Sequence, residues 1–158
     1  MRVFNGYDVL QFAIRVEENG EAFYRETASM VADNDVKELF IRFAGEEINH
    51  KKTFEGMLAQ LADYQPPETY NGEYLTYLKS YIDGKAIFKD HPKIPEMAKV
   101  RDRDAALDFA IQREADSILY YEEVKKFAGD KHAPVIDRII AEERNHFVIL
   151  VAAKGNRT

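Results

Sequence analysis

The feature that most constrains this chain is a five-residue stretch that occurs twice. It reads Glu-Glu-Ile-Asn-His at residues 46–50 and Glu-Glu-Arg-Asn-His at residues 142–146. Each copy contains a Glu-x-x-His, whose two side chains point the same way from a helix. In a chain with 4 His, about 0.4 such matches are expected by chance. Two copies therefore indicate a duplicated, paired set of carboxylate and imidazole groups.

The apolar spacing around both copies predicts helices with a buried seam, over about residues 7–31, 36–62, 104–128 and 133–153. The second Glu and the His of each copy take seam positions, where a polar group is costly unless it finds a partner. The first Glu and the Asn of each copy face away from the seam. We predict that these four are solvated: Glu46, Asn49, Glu142 and Asn145.

One carboxylate also interrupts the seam of the first and of the third predicted helix. These residues are Glu17 and Glu114, and a tyrosine follows each of them seven residues later, at Tyr24 and Tyr121. The two halves of the chain therefore read as copies of one helical hairpin. Glutamates next to Glu17 fall on the solvated flank, and Tyr120 lies off the seam.

The whole chain, residues 1–158, is predicted to be one all-α domain, a four-helix bundle of two pseudo-symmetric hairpins over about 7–62 and 104–153. Asp104 is the predicted cap of the third helix. Residues 63–103 form a long crossover with one short helix, Tyr74 to Ile82. A connection of this length suits a chain that must travel the length of the bundle.

Packing the hairpins face to face would bring six seam residues together in the middle of the bundle, which is the ligand pattern of di-metal carboxylate bundles. Four buried carboxylates repel one another, and two divalent ions would neutralise them. Oxygen and imidazole ligands suit iron or manganese, and zinc can also bind. The predicted ligands are Glu17, Glu47, His50, Glu114, Glu143 and His146.

The roles of Tyr24 and Tyr121 stay open at this point. Two turns from the seam carboxylates, they could donate hydrogen bonds to them, or they could be ordinary core tyrosines. Phe40, Phe43 and Phe54 are most simply core packing around the site. His91 and His132 match no ligand spacing, so we interpret both as surface residues.

Composition excludes several classes of function. The formal charge of -6 argues against nucleic acid as the main partner. The chain has 0 Cys, which excludes disulfides, thiol catalysis and clusters held by cysteine. No apolar run is long enough to span a bilayer, so we expect no membrane association and a cytoplasmic location.

With these residues identified, the chain resembles the ferritin-like superfamily, most closely its rubrerythrin-like branch. The paired Glu-x6-Tyr pattern at Glu17 and Glu114 is also similar to that of bacterioferritins. The resemblance implies a ferritin-like fold and two non-covalently bound iron ions that react with peroxide or dioxygen. Two features depart from rubrerythrins: Ser117 stands where they carry a further glutamate ligand, and without cysteine the chain cannot build their rubredoxin domain.

The resemblance therefore implies an enzyme that reduces hydrogen peroxide or dioxygen under oxidative stress, with electrons from an external donor such as a rubredoxin-like protein. We also expect a homodimer or larger homo-oligomer, in which hairpins either pair within one chain or swap between chains. Three alternatives remain: an iron-oxidising storage subunit, a di-manganese catalase, and a structural bundle without metal.

Overall fold

Four long helices account for most of the residues that the structure describes. The computed structural model describes residues 6–61, 76–77, 80–81 and 102–156. The helices are α1 (Gly6–Met30), α2 (Asn34–Gln60), α3 (Arg103–Ala128) and α4 (Ala133–Gly155). Within those ranges the chain forms no strand. The predicted all-α four-helix bundle is confirmed.

Local sequence signals explain where the helices begin and end. The carboxylate of Asp33 accepts a hydrogen bond from the backbone N–H of Val36 at 3.0 Å and caps α2. Gly129, with a φ of 74°, ends α3 in a conformation that favours glycine. The cap of α3 is Asp102, which accepts from the backbone N–H of Ala105 at 3.3 Å. The prediction of Asp104 as this cap was wrong by two residues.

The helices pack as two hairpins, and the core is divided into two apolar clusters. α1 packs along α2, and α3 packs along α4. α1 also packs against α3, whereas α2 and α4 make few contacts. One cluster fills the end of the bundle where α1 begins, and the other fills the end where α1 finishes. The middle of the bundle between these clusters is lined by polar side chains, so each cluster closes one end of a polar layer.

Part of the predicted crossover also packs against the bundle. The described residues within its predicted short helix, 76–77 and 80–81, are helical, whereas residues 63–75, 78–79 and 82–101, which include His91, lie outside the described residues. Tyr81 is buried, donates a hydrogen bond to the backbone oxygen of Asp116 at 2.5 Å, and stacks on Tyr120.

Tyr120 itself corrects a prediction. It is fully buried, and its hydroxyl donates to the backbone oxygen of Val9 at 2.9 Å. Its placement off the seam was wrong, because the inward face of α3 is wider than the strict seam and reaches the crossover as well as α1.

Candidate metal centre

The middle layer of the bundle contains all six predicted ligands. None of them is more than 5% exposed. Their ligand atoms form two groups of four, and within each group these atoms all lie within 4.8 Å of one another. Two carboxylates belong to both groups, so each of them could contact both of two bound ions. The groups are Glu17, Glu47, His50 and Glu143, and Glu47, Glu114, Glu143 and His146.

The pseudo-symmetry of the hairpins produces this arrangement. α1 and α3 each contribute one terminal carboxylate, Glu17 or Glu114, whereas α2 and α4 each contribute a shared carboxylate and a histidine. The ring centroids of His50 and His146 lie 6.2 Å apart. Both groups come from one chain, so no hairpin from a second chain is required to complete them.

Each predicted tyrosine donates to the carboxylate of the other hairpin. The hydroxyl of Tyr24 on α1 donates to Glu114 on α3, and the hydroxyl of Tyr121 on α3 donates to Glu17 on α1. Burial, together with the nearby glutamates, raises the pKa of both tyrosines well above the usual value of 10.0. Both hydroxyls therefore keep their protons and act as permanent donors to the terminal carboxylates.

The outer nitrogens of the two histidines meet carboxylates that the sequence analysis placed in solvent. Nε2 of His50 lies 2.6 Å from Oε2 of Glu142, and Nε2 of His146 contacts Glu46. Both glutamates remain partly exposed, with side chains 59% and 39% accessible. Their predicted solvation was therefore only half correct. A second carboxylate on a ligand histidine fixes the ring and raises its basicity.

A sequence signal for these contacts existed. α2 and α4 run antiparallel with their centres at the two Glu-x-x-His motifs, so the first Glu of each motif faces the His of the other copy. Asn49 and Asn145 are exposed, as predicted. His132 precedes α4, is partly buried and belongs to neither group of ligands.

Burial and crowding shift the pKa values of three carboxyls in the centre. Burial, together with Glu143 and Glu17, raises the pKa of Glu47 well above its usual value of 4.5. Burial and the neighbouring Glu143 raise the pKa of Glu114 to about 8. Burial also opposes ionisation of Glu143, but its close contacts with His146 and His50 hold its pKa below the usual 4.5. Glu143 is thus ionised, while Glu47 and Glu114 retain protons.

The histidines carry the remaining protons of the metal-free centre. Burial disfavours their charged form, but contacts with Glu143 and Glu17 raise the pKa of His50 to about 12. Contacts with Glu114 and Glu143 likewise outweigh burial and raise the pKa of His146 to about 10. Protons thus balance the negative charge that metal ions would otherwise balance.

The donor atoms fit a pair of divalent ions. Three buried atoms inside the centre, Oε2 of Glu17, Oε1 of Glu47 and Nδ1 of His50, have no hydrogen-bond partner among the described residues. Nδ1 of His50 approaches Oε1 of Glu143 at 2.8 Å without hydrogen-bond alignment. Buried polar atoms are normally paired, and orphaned ones suggest an ion. Carboxylate and imidazole donors at these separations are suited to iron or manganese.

Comparisons with known proteins agree with this geometry. A family model described as Rubrerythrin matches residues 8–154. A solved structure from Thermotoga maritima, described provisionally as a ferritin-like diiron-carboxylate protein, is 28% identical with a TM-score of 0.75, and the alignment covers 100% of this chain and 99% of that chain. None of the curated proteins matches the chain. Among the described residues, no helix has the length and apolar character needed to cross a membrane.

Proposed function

The chain belongs to the rubrerythrin family, and we propose that it is a di-iron oxidoreductase that reduces hydrogen peroxide or dioxygen with electrons from an external donor. The observation that carries the proposal is the pair of four-ligand groups that share Glu47 and Glu143. Two shared carboxylates allow two ions to act as a unit. When bound, the iron pair supplies the two electrons that peroxide reduction requires.

The residues around the iron pair have separate tasks in this proposal. The four carboxylates and two histidines hold the ions without a covalent link, and burial of all six keeps bulk water away from them. Tyr24 keeps its hydroxyl proton and donates a hydrogen bond to Glu114. Tyr121 likewise keeps its proton and donates a hydrogen bond to Glu17. Glu46 and Glu142 hold the histidine rings from the outer side.

A structural bundle without metal is the weakest of the alternatives. Four carboxyls buried together destabilise a fold unless something compensates them, and apolar residues of similar size would serve packing better. The polar layer also divides the apolar core in two. A centre with this cost is expected to have a ligand, and two metal ions account for all six residues.

The electrons must come from outside the chain in this proposal. With 0 Cys, the chain cannot hold an iron–sulfur or rubredoxin centre of its own. A separate one-electron carrier, such as a rubredoxin-like protein, would return the iron pair to the ferrous state after each turnover. We further propose that the protein is cytoplasmic, because a reducing compartment supplies such carriers. We also propose that it forms a homo-oligomer.

The proposal is tested first by metal content and then by peroxide consumption. Anaerobic reconstitution with ferrous iron should give two ions per chain, and peroxide should then be consumed only while a reduced donor is present. Glu17→Ala should lose metal and activity. Glu18→Ala is the matched control, because Glu18 is exposed and pairs with Lys51 on the outer surface, and it should retain both.

Other outcomes would assign a different function. Peroxide disproportionation without a donor, in protein loaded with manganese, would indicate a catalase. A large hollow particle that accumulates iron beyond two ions per chain would indicate a storage subunit. Less than about one metal ion per chain after reconstitution would contradict the di-metal proposal itself.

A further inference from the structure

Four tyrosine rings in contact lead from the surface to a ligand of the metal centre. The ring centroids of Tyr77 and Tyr81 lie 6.3 Å apart, and those of Tyr81 and Tyr120 are also 6.3 Å apart. Those of Tyr120 and Tyr121 are 6.1 Å apart. Aromatic rings interact at centroid distances of about 4.5–7 Å. Tyr121 donates a hydrogen bond to Glu17, so this tyrosine line joins the crossover to the centre.

The two ends of the tyrosine line differ from its middle in what surrounds the hydroxyl. Tyr77 is 46% exposed, whereas Tyr81, Tyr120 and Tyr121 are buried. The hydroxyls of Tyr81 and Tyr120 donate to backbone oxygens, and a carbonyl accepts a hydrogen bond without taking the proton. Tyr121 donates instead to the carboxylate of Glu17. The inner end therefore has a carboxylate as proton acceptor, and the outer end has water.

The corresponding tyrosine of the other hairpin has no such line. By the repeat, Tyr24 corresponds to Tyr121, and Phe23 stands in place of Tyr120. The ring of Tyr24 packs against three phenylalanines at centroid distances of 5.1–5.5 Å: Phe23, Phe40 and Phe43. A phenylalanine ring has no hydroxyl and is much harder to oxidise than a phenol. In the part of the chain that the structure describes, tyrosines thus lead outward from Tyr121 and not from Tyr24.

One-electron oxidation is the chemistry that contacting phenols support. The side chains that give up a single electron most readily are those of tyrosine, tryptophan and cysteine, and this chain has 0 Trp and 0 Cys. Electron transfer slows steeply with distance, so rings in contact exchange an electron far faster than separated ones. Reduction of hydrogen peroxide to water consumes two electrons. When the metal pair holds only one of them, the second must come from the protein.

We propose that the tyrosine line carries an oxidising equivalent from the metal centre to the surface at Tyr77 when hydrogen peroxide reacts with a metal pair that holds a single electron. The inference rests on the proposed reduction of peroxide and deepens it. It gives the centre a way to complete the reaction without oxidising its own ligands when the external donor is absent.

The electrons and protons of this step balance. Hydrogen peroxide accepts one electron from the metal pair, one electron from Tyr121 and two protons from water, and gives two molecules of water. Oxidation makes a phenol strongly acidic, so Tyr121 passes its proton to Glu17 and recovers it when Tyr120 supplies an electron. Tyr81 then reduces Tyr120, and Tyr77 reduces Tyr81. Tyr77 releases its own proton to water and remains as a neutral tyrosyl radical.

Trapping of the surface radical tests this route. Protein loaded anaerobically with ferrous iron is oxidised with ferricyanide until each metal pair keeps one electron. It then receives hydrogen peroxide and a nitroso spin trap, without a donor, and peptide mass spectrometry locates the adducts. Tyr77 should carry the adduct. Tyr7 should carry little, although it is also 46% exposed, because among the described residues it makes no ring contact with the tyrosine line.

Two buried variants interrupt the line at positions that do not donate to a metal ligand. Tyr120→Phe keeps the ring and gives this hairpin the residue that Phe23 provides in the other, and Tyr81→Phe interrupts the line one ring further out. Both should retain two metal ions per chain and lose most of the Tyr77 adduct. Tyr7→Phe is the matched control and should leave the Tyr77 adduct unchanged.

A measurement on metal-free protein separates electron transfer from displacement of the crossover. Photo-oxidation by a ruthenium complex in solution labels exposed tyrosines from outside, so it should label Tyr77 equally in the unsubstituted protein and in both buried variants. Loss of this label in parallel with loss of the spin-trap adduct would assign the effect to packing and would overturn the route.

The remaining outcomes separate this route from the proposed function. Equal adducts at Tyr7 and Tyr77, an unchanged Tyr77 adduct in either buried variant, or no Tyr77 adduct in unsubstituted protein would overturn the route. Each would leave peroxide reduction by the metal pair intact, provided that the loaded protein consumes peroxide with a donor. Failure to consume peroxide with a donor would overturn the proposed function, and the route would fall with it.

Discussion

At the scale of single residues, the hydroxyls of Tyr24 and Tyr121 connect the two halves of the duplicated chain. Each tyrosine sits on one hairpin and donates to the terminal carboxylate of the other, Glu114 or Glu17. These side chains are buried from bulk solvent, so each carboxylate depends on its tyrosine for that hydrogen bond. The same bond therefore contributes to stability and to the orientation of a ligand.

We expect Tyr24→Phe and Tyr121→Phe each to lower the free energy of unfolding by about 1–3 kcal/mol, because each leaves a buried carboxylate oxygen without its donor. Each should also weaken metal binding, since one terminal ligand is no longer held in place. Urea denaturation and metal titration measure the two effects.

Tyr120→Phe is the matched control for these variants. Its hydroxyl is equally buried but donates to the backbone oxygen of Val9 and not to a ligand. It should lower stability without changing the affinity for metal. Equal metal affinity in all three variants would show that the tyrosines at the centre serve packing alone.

Glu46 and Glu142, the outer carboxylates that contact the two histidines, should each affect metal binding at one of the two positions. Glu142 contacts His50, which belongs to the group with Glu17, whereas Glu46 contacts His146, which belongs to the group with Glu114. Replacing a carboxylate that holds a ligand histidine typically costs about 10–100-fold in metal affinity. Glu142→Gln and Glu46→Gln should therefore each weaken one of two binding steps, with little change in stability.

Calorimetric titration with a divalent metal measures these steps. Glu18→Gln, a substitution at an exposed glutamate that pairs with Lys51, should leave both steps unchanged. If Glu46→Gln weakened both steps to the same extent, then the two outer carboxylates would not be specific to their own metal positions.

Much of this centre could be predicted from sequence because its residues break a regular apolar seam. A carboxylate or imidazole at a seam position is visible without a structure, and the repeat removes most of the ambiguity. Arg113 was not predicted to be buried beside the layer, because it precedes the seam residue Glu114 and does not itself lie on the seam. The contacts of Glu46 and Glu142 depend on the antiparallel register of α2 and α4, which a single helical pattern does not contain.

At the scale of the helices, Asp33 and Arg103 join the beginning of α2 to both α3 and α4. Asp33 caps α2 and also accepts from Nε of Arg103 at 3.1 Å. Nη2 of Arg103 in turn donates to the backbone oxygens of Ala153 and Asn156, the latter at 3.1 Å. The backbone N–H of Val36 and the nearby Arg103 lower the pKa of Asp33, so the cap is ionised at neutral pH.

The sequence predicted the helices better than it predicted this junction. Apolar spacing located each helix to within a few residues, whereas the cap of α3 was placed at Asp104 and lies at Asp102. Both aspartates precede the same apolar pattern, so the pattern alone could not choose between them. Arg103, between them, bonds Asp33 and Asp104, and this tertiary pairing leaves Asp102 free to cap the helix.

We expect Asp33→Ala to cost more stability than Asp102→Ala. Loss of a cap typically costs about 1 kcal/mol, and Asp33→Ala also removes a partner of Arg103. Urea denaturation of both variants, and of each combined with Arg103→Gln, measures the difference. The excess cost of Asp33→Ala should disappear in the Arg103→Gln background, whereas the cost of Asp102→Ala should stay the same. Equal costs in both backgrounds would show that the junction adds nothing to the cap.

At the scale of the whole molecule, a layer of ionisable groups separates two apolar clusters. The metal-free protein tolerates this layer by retaining protons on carboxyls and histidines. Two divalent ions would replace those protons, so metal binding and proton release are linked. The stability of the fold should therefore depend on pH in opposite senses with and without metal.

For the metal-free protein we expect the free energy of unfolding to fall as pH rises between about pH 5 and pH 9. The pKa of Glu114 is raised from 4.5 to about 8, and the pKa values of His146 and His50 are raised from 6.5 to about 10 and about 12. Each group binds its proton more tightly in the folded chain, so its contribution is complete below the unfolded pKa and is lost as pH passes the folded one. The pKa of Glu143 is lowered, so this residue changes the free energy of unfolding only below pH 4.5, its usual pKa.

With metal bound, the free energy of unfolding should rise with pH, because fewer protons must be displaced from the ligands at higher pH. The difference in Tm between loaded and metal-free protein should therefore widen from pH 5 to pH 9. Each proton retained by the folded chain can change the free energy of unfolding by at most about 1.4 kcal/mol per pH unit. Thermal unfolding across that range, with and without ferrous iron under anaerobic conditions, measures both curves. Glu114→Gln should flatten the metal-free curve below pH 8, whereas Glu18→Gln should leave it unchanged. A metal-free protein that became more stable from pH 5 to pH 9 would show that protons do not balance the charges of this layer.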